Sequence, residues 1–507
     1  MATAGSPPRA EALENPVPLR SGGRHPGEED TGSMETSTST KIPGKVWFRT
    51  SVAGMASYLD AAAIITTGTA LTLYIDPLGI TDAQLGQYSA LLTFMIAVGA
   101  LIGGRLGDLY GRRRVFLATM GLYTVGALVM TVAAGPASLY VGVILLGLAV
   151  GADLPVSLAM IAEEAPPGKR GRLVSFSHIL WLLGIIVSQA LGVVFGGMGQ
   201  TGGRLMFLHL VVFAVITMIL RAGMPESSRW TELHERTAGA GAATADSGSG
   251  AAAEVATDSE RVDLGTLKQL LTGPFLAPTL AVAIFYSLVN VGANTGGQFN
   301  AFLYTEIAGS TVQVASAVSL VSFGISFAST FVLMKIVDGR NRMRWFAVTG
   351  VIYTAAYVIP ALLGVHLWTL VLMGILGALG GAVAGEPMFK IWAQELIPTA
   401  FRSTAQGAMI AAARVVAAVV ALWTPMLLRI SPAVMFLFVA ACIAVAALIG
   451  LLWITRFPRV ADAEDVDGVE PAGGVPATGG SATPQAADAS SAPAASVPDP
   501  QHSTPTP

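Results

Sequence analysis

Twelve stretches of this 507-residue chain are apolar over about twenty residues each, near 47–75, 83–104, 115–134, 138–162, 173–197, 205–224, 275–305, 311–334, 345–363, 367–394, 404–428 and 433–455. A helix of about that length crosses a hydrocarbon core roughly 30 Å thick. Inside lipid each unpaired backbone group costs several kcal/mol, so a spanning segment must close its own hydrogen bonds. Together these constraints predict an all-α, multi-pass membrane protein. Composition agrees, since charged residues make up only 12% of the chain and apolar ones 53%, against about 25% charge in soluble domains.

Basic residues then orient the spans. Lys41, Lys45 and Arg49 precede the first, and Arg105, Arg112, Arg113 and Arg114 follow the second. Lys169, Arg170 and Arg172 follow the fourth, Arg340, Arg342 and Arg344 the eighth, Arg402 the tenth, and Arg456 and Arg459 the last. The alternate loops hold little beyond Arg204 and Arg429. By the positive-inside rule both termini are expected in the cytoplasm, with the chain in the cell (inner) membrane.

Segments 1–44 and 457–507 are rich in Pro, Gly, Ala and Ser and contain no apolar signal-peptide core. They are expected to be disordered cytoplasmic arms. The stretch 225–272 reads as a partly disordered cytoplasmic linker between six-helix bundles at 45–224 and 273–456. A net charge of -3 without a basic patch gives no reason to expect nucleic acid. One cysteine, Cys442, excludes an internal disulfide or a cysteine-based metal site. There is no phosphate-binding G-x-x-x-x-G-K-[ST] loop and no nucleophile-base constellation, so neither an enzyme nor a cofactor or metal is expected.

The two halves share a repeat. Glu163-x-x-Pro166-x-x-x-Arg170 after span four matches Glu395-x-x-Pro398-x-x-x-Arg402 after span ten. Asp108 precedes the first Glu by 55 residues and Asp338 precedes the second by 57, while Pro225 and Pro458 follow by 62 and 63. Such spacing implies two pseudo-symmetric bundles around a central site. One chain then encloses that site, so a monomer is expected.

The loop after span two, Gly104-Arg-Leu-Gly-Asp108-Leu-Tyr-Gly111-Arg112-Arg113-Arg114, resembles the G-x-x-x-D-x-x-G-R-[KR] signature of the major facilitator superfamily. PESSRW (Pro225 to Trp230), Gly147 to Phe176 and GQFNAFLY (Gly297 to Tyr304) are similar to segments of its sugar-porter and organic-cation transporter branch. The resemblance implies a cytoplasmic charge gate of Gly104, Asp108, Arg112, Glu163, Arg170, Glu226, Arg229, Asp338, Arg340, Glu395 and Arg402, with Arg112 engaging the Glu163/Arg170 turn and Arg340 engaging Glu395/Arg402. Val143 stands where sugar porters carry an arginine in helix four, and Asn294-Thr295 replaces their helix-seven glutamine pair.

Ionisable residues inside a bilayer are candidates for function by default. Asp60 lies roughly 20 Å into span one and matches the aspartate of proton-coupled members, so it is the expected proton carrier. Asp153 sits beside Pro155, as a local cap at a kink or at the edge of the cavity. Glu386, Lys390 and Arg414 bring three charges to substrate depth; His178, Trp181, Asn290, Asn294, Gln298, Asn300 and Tyr304 bring neutral polar and aromatic groups. These eleven, Asp153 aside, form the candidate proton and substrate site.

The expected function is secondary active transport of a small polar solute, a sugar, polyol or organic acid, by proton symport and alternating access, with the solute, H⁺ and the lipid bilayer as partners. A proton-driven exporter is the alternative, although helix five, LLGIIVSQALGVVFGG, lacks the Gly/Pro motif of that branch. A non-transporting membrane sensor is the remaining one.

Overall fold

The computed structural model describes residues 42–166, 169–226, 231, 275–336, 339–397 and 402–458, apart from a few side chains that include those of Asp108, Arg170 and Arg402. Among these residues there are helices and no strands. In chain order they are α1 (Gly44–Leu78), α2 (Asp82–Tyr110), α3 (Arg112–Thr131), α4 (Pro136–Glu163), α5 (Arg170–Phe195), α6 (Gln200–Ala222), α7 (Leu276–Gln298), α8 (Val312–Ile336), α9 (Arg342–Leu363), α10 (Leu367–Ala384), α11 (Glu386–Glu395), α12 (Arg402–Ile430) and α13 (Pro432–Leu452). Helices α10 and α11 are two parts of one span, so the described residues hold 12 segments long and apolar enough to cross a membrane. An even number of crossings puts residues 42 and 458 on the same side, here called the terminal face.

Two spans break, each where sequence chemistry demands it. Gly385 separates α10 from α11 at φ -103 and ψ -143 and is followed two residues later by Pro387. A Cβ there would collide with the carbonyl of Gly381. The seventh span ends its α-helix at Gln298 and continues through the short turn Asn300–Phe302 into a π-helical stretch, Leu303–Ile307. Irregular backbone at membrane depth is tolerated where protein or a wet cavity surrounds it.

Helix contacts repeat between halves. Helix α2 lies on α4 as α8 lies on α10, α3 packs on α4 and α6 as α9 packs on α10 and α13, and α1 packs on α5 and α6 as α7 packs on α12 and α13. The halves meet through α2 against α12 and α5 against α8, a pair of seams related by the same symmetry. This is the two-bundle architecture anticipated from the repeated Glu-x-x-Pro-x-x-x-Arg turns.

Asp153 corrects an expectation, because it neither caps the Pro155 kink nor borders the cavity. Its Oδ1 receives Nη1 of Arg221 at 2.5 Å, and both side chains are closed off, at 2% and 0% exposure. Thr119 donates to the same oxygen, and the guanidinium also reaches Ser157 and the carbonyls of Val52 and Ala53. Phe116 lies under it, 4.5 Å from the guanidinium carbon. One charge pair thus ties α1, α3, α4 and α6 together. Removing one partner leaves the other charge buried and alone, which costs about 3–5 kcal/mol. Arg221→Met or Asp153→Leu alone should therefore lower the melting temperature of the purified protein sharply, and the double substitution should recover most of the loss. Single variants as stable as the wild type would show that the pair does not hold the bundle.

Candidate functional site

Asp60 lies mid-span on α1 and is 3% exposed. Its Oδ2 accepts a hydrogen bond from Trp181 Nε1 of α5 at 3.0 Å. Its Oδ1 is buried with no hydrogen-bond partner. Thr66, farther along α1, donates to Ser188 of α5. The Trp181 ring lies flat against His178, one turn nearer the terminal face, with centroids 5.6 Å apart and planes 9° apart.

The other wall is built from α7, α11 and α12. A polar stripe on α7 runs Tyr286, Asn290, Asn294, Gln298 at intervals of four, so all four share one face. Tyr286 stacks on Phe389 of α11 at 3.9 Å. Because Gly385 ends α10, the next residues start a new helix with Glu386 in its first turn, where a carboxylate favours the positive helix end. Lys390 follows one turn later and its Nζ meets Glu386 Oε1 at 2.9 Å. Arg414 projects from mid-α12, half-buried, and no ion pair joins it to a carboxylate among the described residues.

These groups face one another across the halves. Arg414 and Glu386 act electrostatically on Asp60, and Lys390 and Glu386 act on His178. Yet Lys390 and Glu386 remain 51% and 46% exposed. The space between the two walls is the candidate cleft, with Lys390 and Glu386 among its exposed side chains. The structure thus sets Asp60, Trp181 and His178 together in one wall, and Asn290, Glu386, Lys390 and Arg414, with Tyr286 added, in the other. That tyrosine was absent from the sequence reading, although its four-residue spacing from Asn290 marks it.

Gln298, Asn300 and Tyr304 lie elsewhere, at the end of the cleft remote from the termini. Gln298 donates to Asn294 and, across the halves, to Thr93 of α2. Both contacts of the Asn300 amide nitrogen go to α8, on the Ala315 carbonyl and Ser319. Tyr304 is buried in the core. Here the halves close on each other. A Cβ at Gly68 would strike the Gln298 carbonyl, and one at Gly86 the Leu422 carbonyl. Arg429, at the end of α12, bridges Asp82 of α2 at 2.6 Å and Glu306 of the π-helical stretch at 2.9 Å. Sequence reading missed this triad. Its one signal was that Arg429 breaks the loop charge pattern.

On the terminal face the described charge pairs stay within a half. Arg112 bonds Glu163 at 3.0 Å, Arg49 bonds Glu164 at 3.0 Å, and Glu226 accepts from the backbone nitrogen of Arg113 at the start of α3. The expected Arg340–Glu395 contact is corrected. Arg342 makes it instead, with two bonds of 2.6 and 2.9 Å, while Arg340 is exposed in the preceding turn. The repeat explains why, since Arg342 is four residues after Asp338 and opens α9 just as Arg112 is four residues after Asp108 and opens α3. Gly104 lies within α2; Arg229 and Asp338, and the side chains of Asp108, Arg170 and Arg402, lie outside the description.

Comparison with known proteins adds the relationships. Residues 34–457 match the family described as "Sugar (and other) transporter". The minor myo-inositol transporter IolF of Bacillus subtilis is 28% identical over 423 residues, covering 80% of this chain and 90% of that protein. The proton myo-inositol cotransporter hmit-1.1 of Caenorhabditis elegans is 34% identical over a shorter stretch, 27% of this chain and 23% of its own length. Among solved structures, the partially occluded inward open conformation of the xylose transporter XylE from E. coli superposes with a TM-score of 0.63 at 17% identity, over 83% of this chain and 99% of that one, a likeness of fold.

The Arg429 triad crosses between halves but is partly solvated, so each bond contributes about 0.2–1 kcal/mol. Of its bonds only the one to Asp82 joins the halves, so Arg429→Gln should raise the population open at the remote face by up to about fivefold. A cysteine placed at Asn294 in a Cys442→Ser background reports this as faster labelling from that side. Unchanged labelling would show that the glycine contacts alone hold the seam.

Proposed function

Because the chain belongs to the sugar transporter family of the major facilitator superfamily, we propose that it moves a small neutral polyhydroxylated solute, a sugar or a cyclitol such as myo-inositol, together with a proton. The observation that carries this reading is Asp60, a buried mid-span carboxylate with one oxygen held by Trp181 and the other free of any hydrogen bond. A carboxylate taken out of water holds a proton more readily than one in water, and releases it when solvation or a nearby charge returns. Such a group loads and unloads a proton as access alternates.

Charge balance favours a neutral solute over an organic acid. Two carboxylates, Asp60 and Glu386, face two cations, Lys390 and Arg414, and Glu386 already holds Lys390. The neutral donors and acceptors around them, Trp181, Tyr286 and Asn290, suit hydroxyl groups and an apolar ring face. The names of two relatives, a myo-inositol transporter and a proton myo-inositol cotransporter, point the same way. The loop charges support a cytoplasmic terminal face. On that reading the face of the cleft remote from the termini is the outer one, and Arg429 bridges the halves there.

In proteoliposomes with an imposed proton gradient, wild-type protein should concentrate myo-inositol or a related polyol. Asp60→Asn should end the uphill accumulation while exchange of labelled for unlabelled solute continues. Normal gradient-driven accumulation by that variant would remove Asp60 from the coupling.

A further inference from the structure

Resting on that reading, we propose that Tyr123 of α3 and Tyr357 of α9 are positioning residues, two symmetry-related hydroxyls that each hold the backbone of one cleft wall. Tyr123 donates to the carbonyl of Leu59 on α1 at 3.0 Å, and Tyr357 donates to the carbonyl of Gly292 on α7 at 3.0 Å. Both bonds are buried. The Leu59 carbonyl belongs to the peptide unit whose nitrogen is that of Asp60. Gly292 lies midway between Asn290 and Asn294 of the polar stripe. Each hydroxyl therefore grips a wall helix where its site side chains branch off.

The pair follows the repeat. Tyr123 stands 11 residues after Arg112, which opens α3, and Tyr353 stands 11 after Arg342, which opens α9; Tyr357 is one turn farther on. Donor and acceptor are 64 residues apart in the first half and 65 in the second. Helix α3 packs chiefly on α4 and α6, and α9 on α10 and α13, so each tyrosine reaches past those neighbours to the first helix of its half. A tyrosine hydroxyl in a dry interior usually finds a partner, and a helical carbonyl has a second lone pair to offer. That need alone does not select the same helix of the repeat twice, and Tyr58 on α1 leaves its own hydroxyl buried without a partner.

In the second half the surroundings are shaped to this contact. Gly292 and Gly296 lie one turn apart on α7; a Cβ at the first would sit 3.4 Å from Tyr353 Oη and one at the second 3.6 Å from Tyr357 Oη. With no side chains there, both tyrosines lie directly against the α7 backbone. Their rings are fixed from behind. They cross edge to face at 6.0 Å, Tyr357 tilts against Phe436 of α13 at 6.5 Å, and a Cβ at Gly380 of α10 would strike Tyr353 Cβ at 2.5 Å. Tyr123 and Tyr357 are 0% and 6% exposed, so neither meets the solute and each acts through the helix it holds. Binding groups need placing to within about 0.5 Å. Tyr123 thus sets Asp60 against Trp181, and Tyr357 sets Asn290 and Asn294.

Tyrosine-to-phenylalanine substitution removes one hydroxyl and keeps the ring packing. Deuterium uptake by the purified full-length protein reads the grip without any solute: it should quicken in residues 288–298 of Tyr357→Phe and in 56–66 of Tyr123→Phe. In proteoliposomes, Tyr357→Phe should raise the KM for counterflow of labelled myo-inositol by about two- to tenfold at a nearly unchanged maximal rate, the size set by one buried hydrogen bond. Tyr123→Phe should leave that KM near the wild type and lower gradient-driven accumulation by about the same factor. Unchanged deuterium uptake in both segments would overturn the proposal. So would quickened uptake with wild-type transport, because the hydroxyls would then only stabilise the fold, and so would one shared transport defect in both variants. Wild-type protein that moves no polyol would remove the transport reading and this one with it, whereas inert substitutions beside an active wild type remove this one alone.

Discussion

A charge inside a bilayer persists only where another charge or water faces it, and five of this protein's helices are arranged around that demand. Asp60 on α1 and Arg414 on α12 sit at depth on opposite walls, while Glu386 and Lys390 on α11 neutralise each other nearer the terminal face. Helix α1 carries Asp60 because it is among the most enclosed of the set, packed by α4, α5 and α6 on one side and α7 on the other. The Asp153–Arg221 pair makes that enclosure rigid: it fixes α1 against three neighbours by way of backbone carbonyls. One buried pair thus stabilises the wall that carries Asp60.

The two ends of the cleft are held differently. Remote from the termini, contacts cross between halves: glycine against carbonyl at Gly68 and Gly86, an amide from Gln298 to Thr93, and the Arg429 bridge. At the terminal face the described ion pairs of Arg112, Arg49 and Arg342 close within one half. Backbone-close packing is costly to disrupt and geometrically exact, whereas partly exposed ion pairs are individually weak. A seam that combines both can hold one state without locking it, which alternating access requires.

Much of this was legible in the sequence, and the reasons it was or was not are physical. Length and apolarity dictated the twelve spans because lipid permits almost nothing else. Repeat spacing revealed the two bundles, and depth along a helix singled out Asp60, Glu386, Lys390 and Arg414. Partner identity was harder. Arg221 lies near a helix end, where a basic residue ordinarily means topology, so nothing in one dimension joined it to Asp153, 68 residues away. The Arg340 assignment failed by two residues because the degraded second loop obscured which arginine opens α9. Asn300 and Tyr304 matched a motif, yet the break after Gln298 turns that segment into the remote seam. Short motifs report which residues recur; helix breaks decide where they point.

Symport of a proton carried by Asp60 with a neutral solute moves net positive charge across the membrane. Charge movement measured on proteoliposomes adsorbed to a solid-supported electrode, with myo-inositol added and no gradient imposed, tests it most directly. The account predicts a transient of inward positive charge that accompanies uptake of the neutral solute and vanishes in Asp60→Asn. Solute entry with no charge movement in the wild type would contradict it.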